Sequence, residues 1–169
     1  MSDEKRLIGH APFPVAPATL GSAHVGGYGA GLPRTEETVH EHRNIAMIRR
    51  ALEVYNSGDD NAMRGFLADD ILWHVGGNHE MSGDYIGIEA VVDYFRRVRR
   101  ETAGTLQFEP AEILANDRHA SIFMRVSAYR DVRWMDVLLA EALTLDPNGR
   151  WTEYWALAND QDAVDAFWS

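Results

Sequence analysis

Arg133-Trp-Met-Asp-Val-Leu-Leu-Ala-Glu-Ala-Leu-Thr-Leu145 is the stretch from which the fold is read. Its branched and apolar residues predict a strand. Alternation puts Met135, Val137, Leu139, Glu141 and Leu143 on one face and Trp134, Asp136, Leu138, Ala140 and Ala142 on the other. Both faces are mostly apolar, so both need cover. Helices can supply one cover. Small Ala140 and Ala142 permit close sheet packing on the other, which predicts a homodimer through the outer sheet face. Glu141 is the lone acid on its face and must meet a cavity or a partner. Burial disfavours the charged form of a carboxyl, so an enclosed Glu141 becomes a proton donor near neutral pH. The competing reading is a structural carboxylate satisfied by a buried arginine, a backbone group or the dimer partner.

Working outward, Leu106–Leu114, His119–Tyr129 and Arg150–Leu157 are also rich in branched and aromatic residues. Turns are expected at Asn116-Asp117, Arg130-Asp131 and Pro147-Asn-Gly149. Short turns between successive strands make an antiparallel meander. Upstream, Ile71–Val75 reads as another strand, broken at Gly76-Gly77. Ile45, Ile48, Leu52 and Tyr55 recur at helical spacing before the stop at Asn56-Ser-Gly58. A shorter helix with Asp60 or Asn61 as N-cap follows, carrying Met63, Phe66 and Leu67. A third helix spans about Ile88–Arg100 through Val91, Phe95 and Val98, and a terminal one spans Gln161–Trp168. Helices first and a curved antiparallel sheet afterwards imply an α+β class.

Residues 7–34 hold four of the six prolines and six of the fourteen glycines, which predicts a flexible N-terminal arm over 1–34 and a folded domain over 35–169. The arm's Phe13, Val15, Leu20 and Tyr28 are candidates for a lid. Its Gly26–Gly31 run lacks the preceding strand and following Lys-Ser/Thr of a phosphate loop. With 169 residues and 46% hydrophobic content the chain can fill one core, and its net charge of −10 disfavours nucleic acid and anionic membranes. The absence of cysteine excludes disulfides and thiolate chemistry. No apolar run approaches the ~20 residues of a membrane-spanning helix, and a cytoplasmic location is expected.

Several strings, in this order, resemble the SnoaL-like branch of the nuclear transport factor 2-like (NTF2-like) superfamily, which includes ketosteroid isomerases and polyketide cyclases. They are Tyr55-Asn-Ser-Gly-Asp59, Phe66-Leu-Ala-Asp-Asp70 before Ile71-Leu-Trp73, Tyr85-Ile-Gly87, Asp146-Pro-Asn-Gly-Arg150 and the closing Asp160–Trp168. The match covers residues 43–169. The resemblance implies a cone whose curved antiparallel sheet, covered on one face by three N-terminal helices, encloses a pocket open at one end. Glu141 falls where ketosteroid isomerases have a buried aspartic acid beside the developing oxyanion. Their general-base aspartate falls on Val75 and their oxyanion tyrosine on Ala51. The Arg/Asp/Asp set of limonene-epoxide hydrolases is not matched, because Arg133 and Asp136 point to opposite faces of an unbroken strand.

What remains resembles a cofactor-independent isomerase or cyclase of secondary metabolism. An acidic side chain in an apolar pocket would serve it, acting on a polyketide- or terpenoid-like substrate that the cavity holds in a reactive conformer. Trp73, Val75, Phe95, Ile122, Met124, Tyr154 and Tyr55 are the expected walls. Tyr154 is placed inward, as support for Glu141 or as aromatic wall. His74 alternates outward from Trp73 and Val75, but a bulge before Gly76-Gly77 would turn it inward and make it catalytic. Gln107 would reach the cavity from a neighbouring strand, against its parity. Asp136 is assigned to the interface or to Arg133. No cofactor or metal is expected. His40 and His42 are two apart on a helix and diverge, and His74, His79, Glu80 and Asp84 form only a loose cluster. A non-catalytic ligand-binding protein and an epoxide hydrolase are the alternatives.

Overall fold

The computed structural model describes residues 41–169. The expected arm and His40 lie outside them. Helix α1 is Arg43–Ser57, strands β1 and β2 are Leu67–Val75 and Gly83–Ile86, and helix α2 is Ile88–Glu101. Strands β3 to β6 are Gln107–Ala115, His119–Arg130, Arg133–Leu145 and Trp151–Ala158, and helix α3 is Gln161–Trp168. The strands form one sheet in the order β2-β1-β6-β5-β4-β3. It is curved and unclosed, with α1 packed on β3, α2 on β1 and β2, and α3 on β5 and β6.

The sheet is mixed, which corrects the expectation of a wholly antiparallel one. Antiparallel hairpins join β3 through β6, but β1 runs parallel to β6, pairing Trp73 with Tyr154. Nothing local in Ile71–Val75 encodes that partner, because β1 and β6 lie at opposite ends of the domain sequence. Strand β2 lies in a stretch to which the sequence pattern assigned no element. It pairs with the end of β1 through Trp73↔Tyr85 and Val75↔Gly83. The expected second helix is a 3₁₀ turn, Ala62–Phe66, capped by Asp59 Oδ1, which accepts the Ala62 amide at 2.9 Å. Asp60 binds Arg99 instead. The Arg99 guanidinium donates to Asp60 and to the Tyr55 carbonyl, both at 2.8 Å, tying the end of α1 to α2.

Alternation in β5 is strict along its length. Met135, Val137, Glu141, Leu143 and Leu145 are buried, while Trp134, Asp136, Leu138 and Ala142 are exposed. Facing residues of β4 behave alike: Ile122 and Met124 are enclosed, and Phe123 and Arg125 face out. One bulge breaks the pattern. Between Thr144 and Leu145 the register with β6 slips, so Trp151 and Tyr154, three residues apart, both lie on the inner face.

Two side-chain anchors fix the helices on this sheet. Asn56 of α1 both donates to the Phe108 carbonyl (2.9 Å) and accepts its amide (3.1 Å), closing the free edge of β3. Asp165 of α3 accepts the Asn78 amide at 3.0 Å, holding that helix against the turn after β1. The β5–β6 turn depends on Gly149, whose φ is +83° and whose added Cβ would lie 2.7 Å from Asn44 Oδ1. Gly149→Ala is therefore expected to destabilise the fold by about 2 kcal/mol, read by denaturant unfolding.

Candidate functional site

The inner sheet face, α1, α2 and α3 enclose a cavity of about 120 Å³. Its wall includes Ala51 and Tyr55 from α1, Trp73 and Val75 from β1, and Tyr94 and Phe95 from α2. Strands β4 to β6 add Val126, Val137, Glu141, Trp151 and Tyr154, and α3 adds Gln161, Val164 and Trp168. No lysine or arginine borders it among the described residues. Among those residues Glu141 is the only carboxylate that does.

Glu141 reaches this wall because it is an inward residue of a strand flanked on both sides, opposite Ile122 on β4 and Ala156 on β6. It is 5% exposed. Tyr154 sits diagonally across on β6, and its hydroxyl donates to Glu141 Oε1 at 2.7 Å. No described group donates to the second oxygen. Burial pushes the carboxyl up to about 7, against the smaller opposing effect of the Tyr154 hydrogen bond. Burial and then the neighbouring Glu141 charge push the Tyr154 hydroxyl well above its ordinary value, so it stays a donor. The Tyr154 ring lies flat on Trp73, with centroids 3.6 Å apart and planes 7° from parallel, which fixes the direction of its hydroxyl.

Of the candidate residues, Glu141, Tyr154, Trp73, Val75, Phe95, Tyr55 and His74 border this one cavity. The others stand elsewhere. Ile122 and Met124 face inward as alternation requires, but they are packed into solid core and do not border the cavity. Gln107 is exposed at the start of β3, while its neighbours Leu106 and Phe108 meet the cavity.

His74 borders the cavity from the end of β1. Its backbone belongs to the wall strand, but its ring stacks on exposed Trp155 at 3.7 Å, with Nδ1 2.7 Å from Asp84 Oδ1 and Nε2 3.5 Å from Glu153. No bulge turns it inward. Asp136 pairs with Arg125 on the outer face (2.7 Å to Nε), while Arg133 binds the Phe167 and Ser169 carbonyls at the end of α3. His79 is fully enclosed at the cavity rim near Asp165, and burial lowers its pKa. It borders the same cavity as His74, and no group of metal-binding side chains gathers among the described residues.

The sequence reading missed Tyr94, Trp151 and the α3 residues. Tyr94 was within reach, since Val91, Tyr94, Phe95 and Val98 complete the i, i+3, i+4, i+7 stripe of α2. Trp151 was not, because its inward direction depends on the β5–β6 bulge.

A family model described as the SnoaL-like domain matches residues 48–154. The chain belongs to the SnoaL-like family. Among solved structures, this SnoaL-like chain is similar to Bal32a, from a soil-derived mobile gene cassette, with a TM-score of 0.71 at 28% identity over 75% of this chain and 97% of that one. It is also similar to an NTF2-like protein from Burkholderia pseudomallei, with a TM-score of 0.68 at 17% identity over 76% and 99% of the two chains. A putative polyketide cyclase from Sinorhizobium meliloti gives 0.56 at 16% identity over 66% and 94%. The last two likenesses show the NTF2-like fold alone. No curated protein matches the chain. No helix among the described residues is long and apolar enough to cross a membrane.

The raised Glu141 pKa has a consequence for stability. Between its ordinary value of 4.5 and its folded value of about 7, the folded chain keeps a proton that the unfolded chain has released. Stability therefore falls as pH rises through this window and levels off above it. Denaturant unfolding at pH 4.5 and pH 8 is expected to show wild type losing about 3 kcal/mol more than Glu141→Gln, which has no carboxyl to ionise.

Proposed function

We propose that this SnoaL-like protein is a cofactor-independent enzyme that moves a proton on an apolar small molecule, as an isomerase or cyclase of polyketide- or terpenoid-like substrates. Glu141 is the proton-transferring group. The observation that carries this reading is the enclosed carboxyl poised near neutrality, with one oxygen held by Tyr154 and the other without a protein donor. A group whose pKa lies near the working pH both takes and returns a proton at useful rates. The aromatic walls restrict the conformers that a bound chain or ring can adopt. The fold-level likeness to a putative polyketide cyclase is consistent with this class of reaction.

A non-catalytic binding role is the second reading, favoured by apolar Val75 and Ala51 on the wall where the isomerases resembled by this chain place a base and an oxyanion donor. Epoxide hydrolysis is less well supported. It needs a positioned water beside a second carboxylate, and Glu141 alone borders the cavity among the described residues. Turnover of any substrate found by screening ring-sized polyketide- and terpenoid-like compounds should fall about 10²–10⁴-fold in Glu141→Gln with the fold intact. In wild type, kcat/KM should bend near pH 7, rising above it if Glu141 acts as base and falling if it acts as acid. Unchanged turnover in Glu141→Gln removes it from the chemistry, and bound ligand recovered unaltered favours the binding role.

The protein is further proposed to act as a homodimer through its outer sheet face. Phe123, Trp134, Leu138, Trp155 and Leu157 are all exposed there, on adjacent strands around Ala140 and Ala142. So much contiguous apolar surface is uncommon on a monomer. Light scattering should give twice the 19.0 kDa chain mass for wild type and the single mass for Leu138→Glu. A monomeric wild type would refute the assembly.

A further inference from the structure

We propose that the indole N–H of Trp151 anchors an uncharged acceptor oxygen of the ligand, such as an ether, on the side of the ligand's ring away from the atom that meets Glu141. This goes beyond the proton-transfer reading and holds whether Glu141 reacts with the ligand or only binds it.

Trp151 is set apart by a donor with nothing to bond. It is 3% exposed and borders the cavity, and its Nε1 is buried without a hydrogen-bond partner among the described residues. Two other cavity-bordering residues carry such a nitrogen, but each of those faces a carboxylate. His74 Nε2 lies 3.5 Å from Glu153, and His79 Nε2 lies 3.9 Å from Asp165. An indole N–H only donates, so an acceptor alone can satisfy it. Buried tryptophans ordinarily have that acceptor, and a donor left without one costs free energy that a ligand oxygen recovers. Phenylalanine would fill much of the same space at no such cost.

The backbone is irregular on both sides of this residue. Trp151 pairs with Leu145 of β5 just where that ladder slips between Thr144 and Leu145, and with Leu67 of β1 just where the other ladder slips between Leu67 and Leu72. Such irregularities disrupt the ladder and are over-represented where a side chain is re-aimed beside a site. Packing then fixes the ring. Trp73 stacks on Trp151 at 6.1 Å, with planes 13° apart, and on Tyr154 at 3.6 Å. Trp151 is thus one ring removed from the Tyr154–Glu141 pair. A donor held this way loses little entropy when it engages an acceptor.

Charge and size narrow the ligand further. No lysine or arginine borders the cavity among the described residues, so a carboxylate or phosphate would enter uncompensated near Glu141. An ammonium ion has no lone pair to offer the indole. The volume of about 120 Å³ is close to that of apolar cavities that take one benzene ring. A ring of that size can present its reacting position to Glu141 and an oxygen on its far side to Trp151.

The test compares para-methylanisole with para-ethyltoluene, which differ only in an ether oxygen replaced by a methylene. Affinities for the full chain are read by calorimetry, and the indole N–H signals of its five tryptophans are followed by heteronuclear NMR. The ether is expected to bind about fivefold more tightly, the gain typical of one net hydrogen bond. It should also move the Trp151 N–H proton downfield, while the hydrocarbon does not. Trp151→Phe should bind both probes equally, which shows the cavity intact and the preference gone. Should that variant fail to fold, the Trp151 signal, assigned through bonds in wild type, decides alone. The proposal is overturned if the ether does not bind, if it binds no better than the hydrocarbon, if Trp151→Phe keeps the preference, or if the Trp151 signal responds to both probes alike. Glu141→Gln should keep the ether preference. Loss of turnover in that variant with no ether preference in wild type would leave the proton-transfer reading standing and this one refuted, and an ether preference with full turnover would do the opposite.

Discussion

A carboxyl enclosed by aromatic and aliphatic side chains, with no cation at the wall among the described residues, is the constraint on which the site depends. Ionising Glu141 there means placing a charge in a medium that solvates it poorly, and a single phenol hydrogen bond offsets only part of that cost. The surrounding structure must therefore keep water and arginine away while leaving space beside the acid. Arg99, the guanidinium nearest the Tyr55 ring, is neutralised by Asp60, and Arg125, Arg130 and Arg133 are occupied on the outer face or at the end of α3. The ion pairs of this acidic chain hold the shell together, and the interior stays nearly free of charge.

The same enclosure explains why the backbone irregularities matter. A regular β6 would point Trp151 and Tyr154 to opposite faces, and the bulge opposite Thr144 and Leu145 brings both inward. Tyr154 itself, in regular register opposite Leu143, lies diagonally from Glu141 and flat on Trp73 of the parallel neighbour β1. The hydrogen bond that shapes the acid thus rests on regular β5–β6 pairing, and its direction on the parallel pairing with β1. Helix α3 completes the enclosure, held by Asp165 against the turn after β1 and by Arg133 at its final carbonyls.

Much of this was legible in the chain. The period-two pattern of Arg133–Leu145 assigned its faces correctly, because a half-buried strand cannot slip by one residue without turning its whole apolar set into water. The same parity placed His74 outward, and the structure gives no bulge to reverse it. Parity was blind to depth, however. Ile122 and Met124 face inward as read, yet whether an inward residue meets a cavity or a neighbouring side chain depends on what opposes it across the core. Short segments misled for a related reason. Ala62–Phe66 has helical spacing but too little length to hold an α-helix, and Gly83–Ile86 is a strand only because the end of β1 lies beside it.

The amino-acid order alone determined the element types in the meander, the two-faced character of the sheet and the isolation of one acid in an apolar strand, since these follow from local periodicity and hydrophobicity. Only the tertiary structure decided that β1 lies parallel to β6, that Trp151 and Tyr94 join Glu141 and Tyr154, and that a small empty volume remains among them. Those outcomes arise from contacts between segments far apart in the chain, where packing, not local preference, sets which side chains touch and which leave a gap.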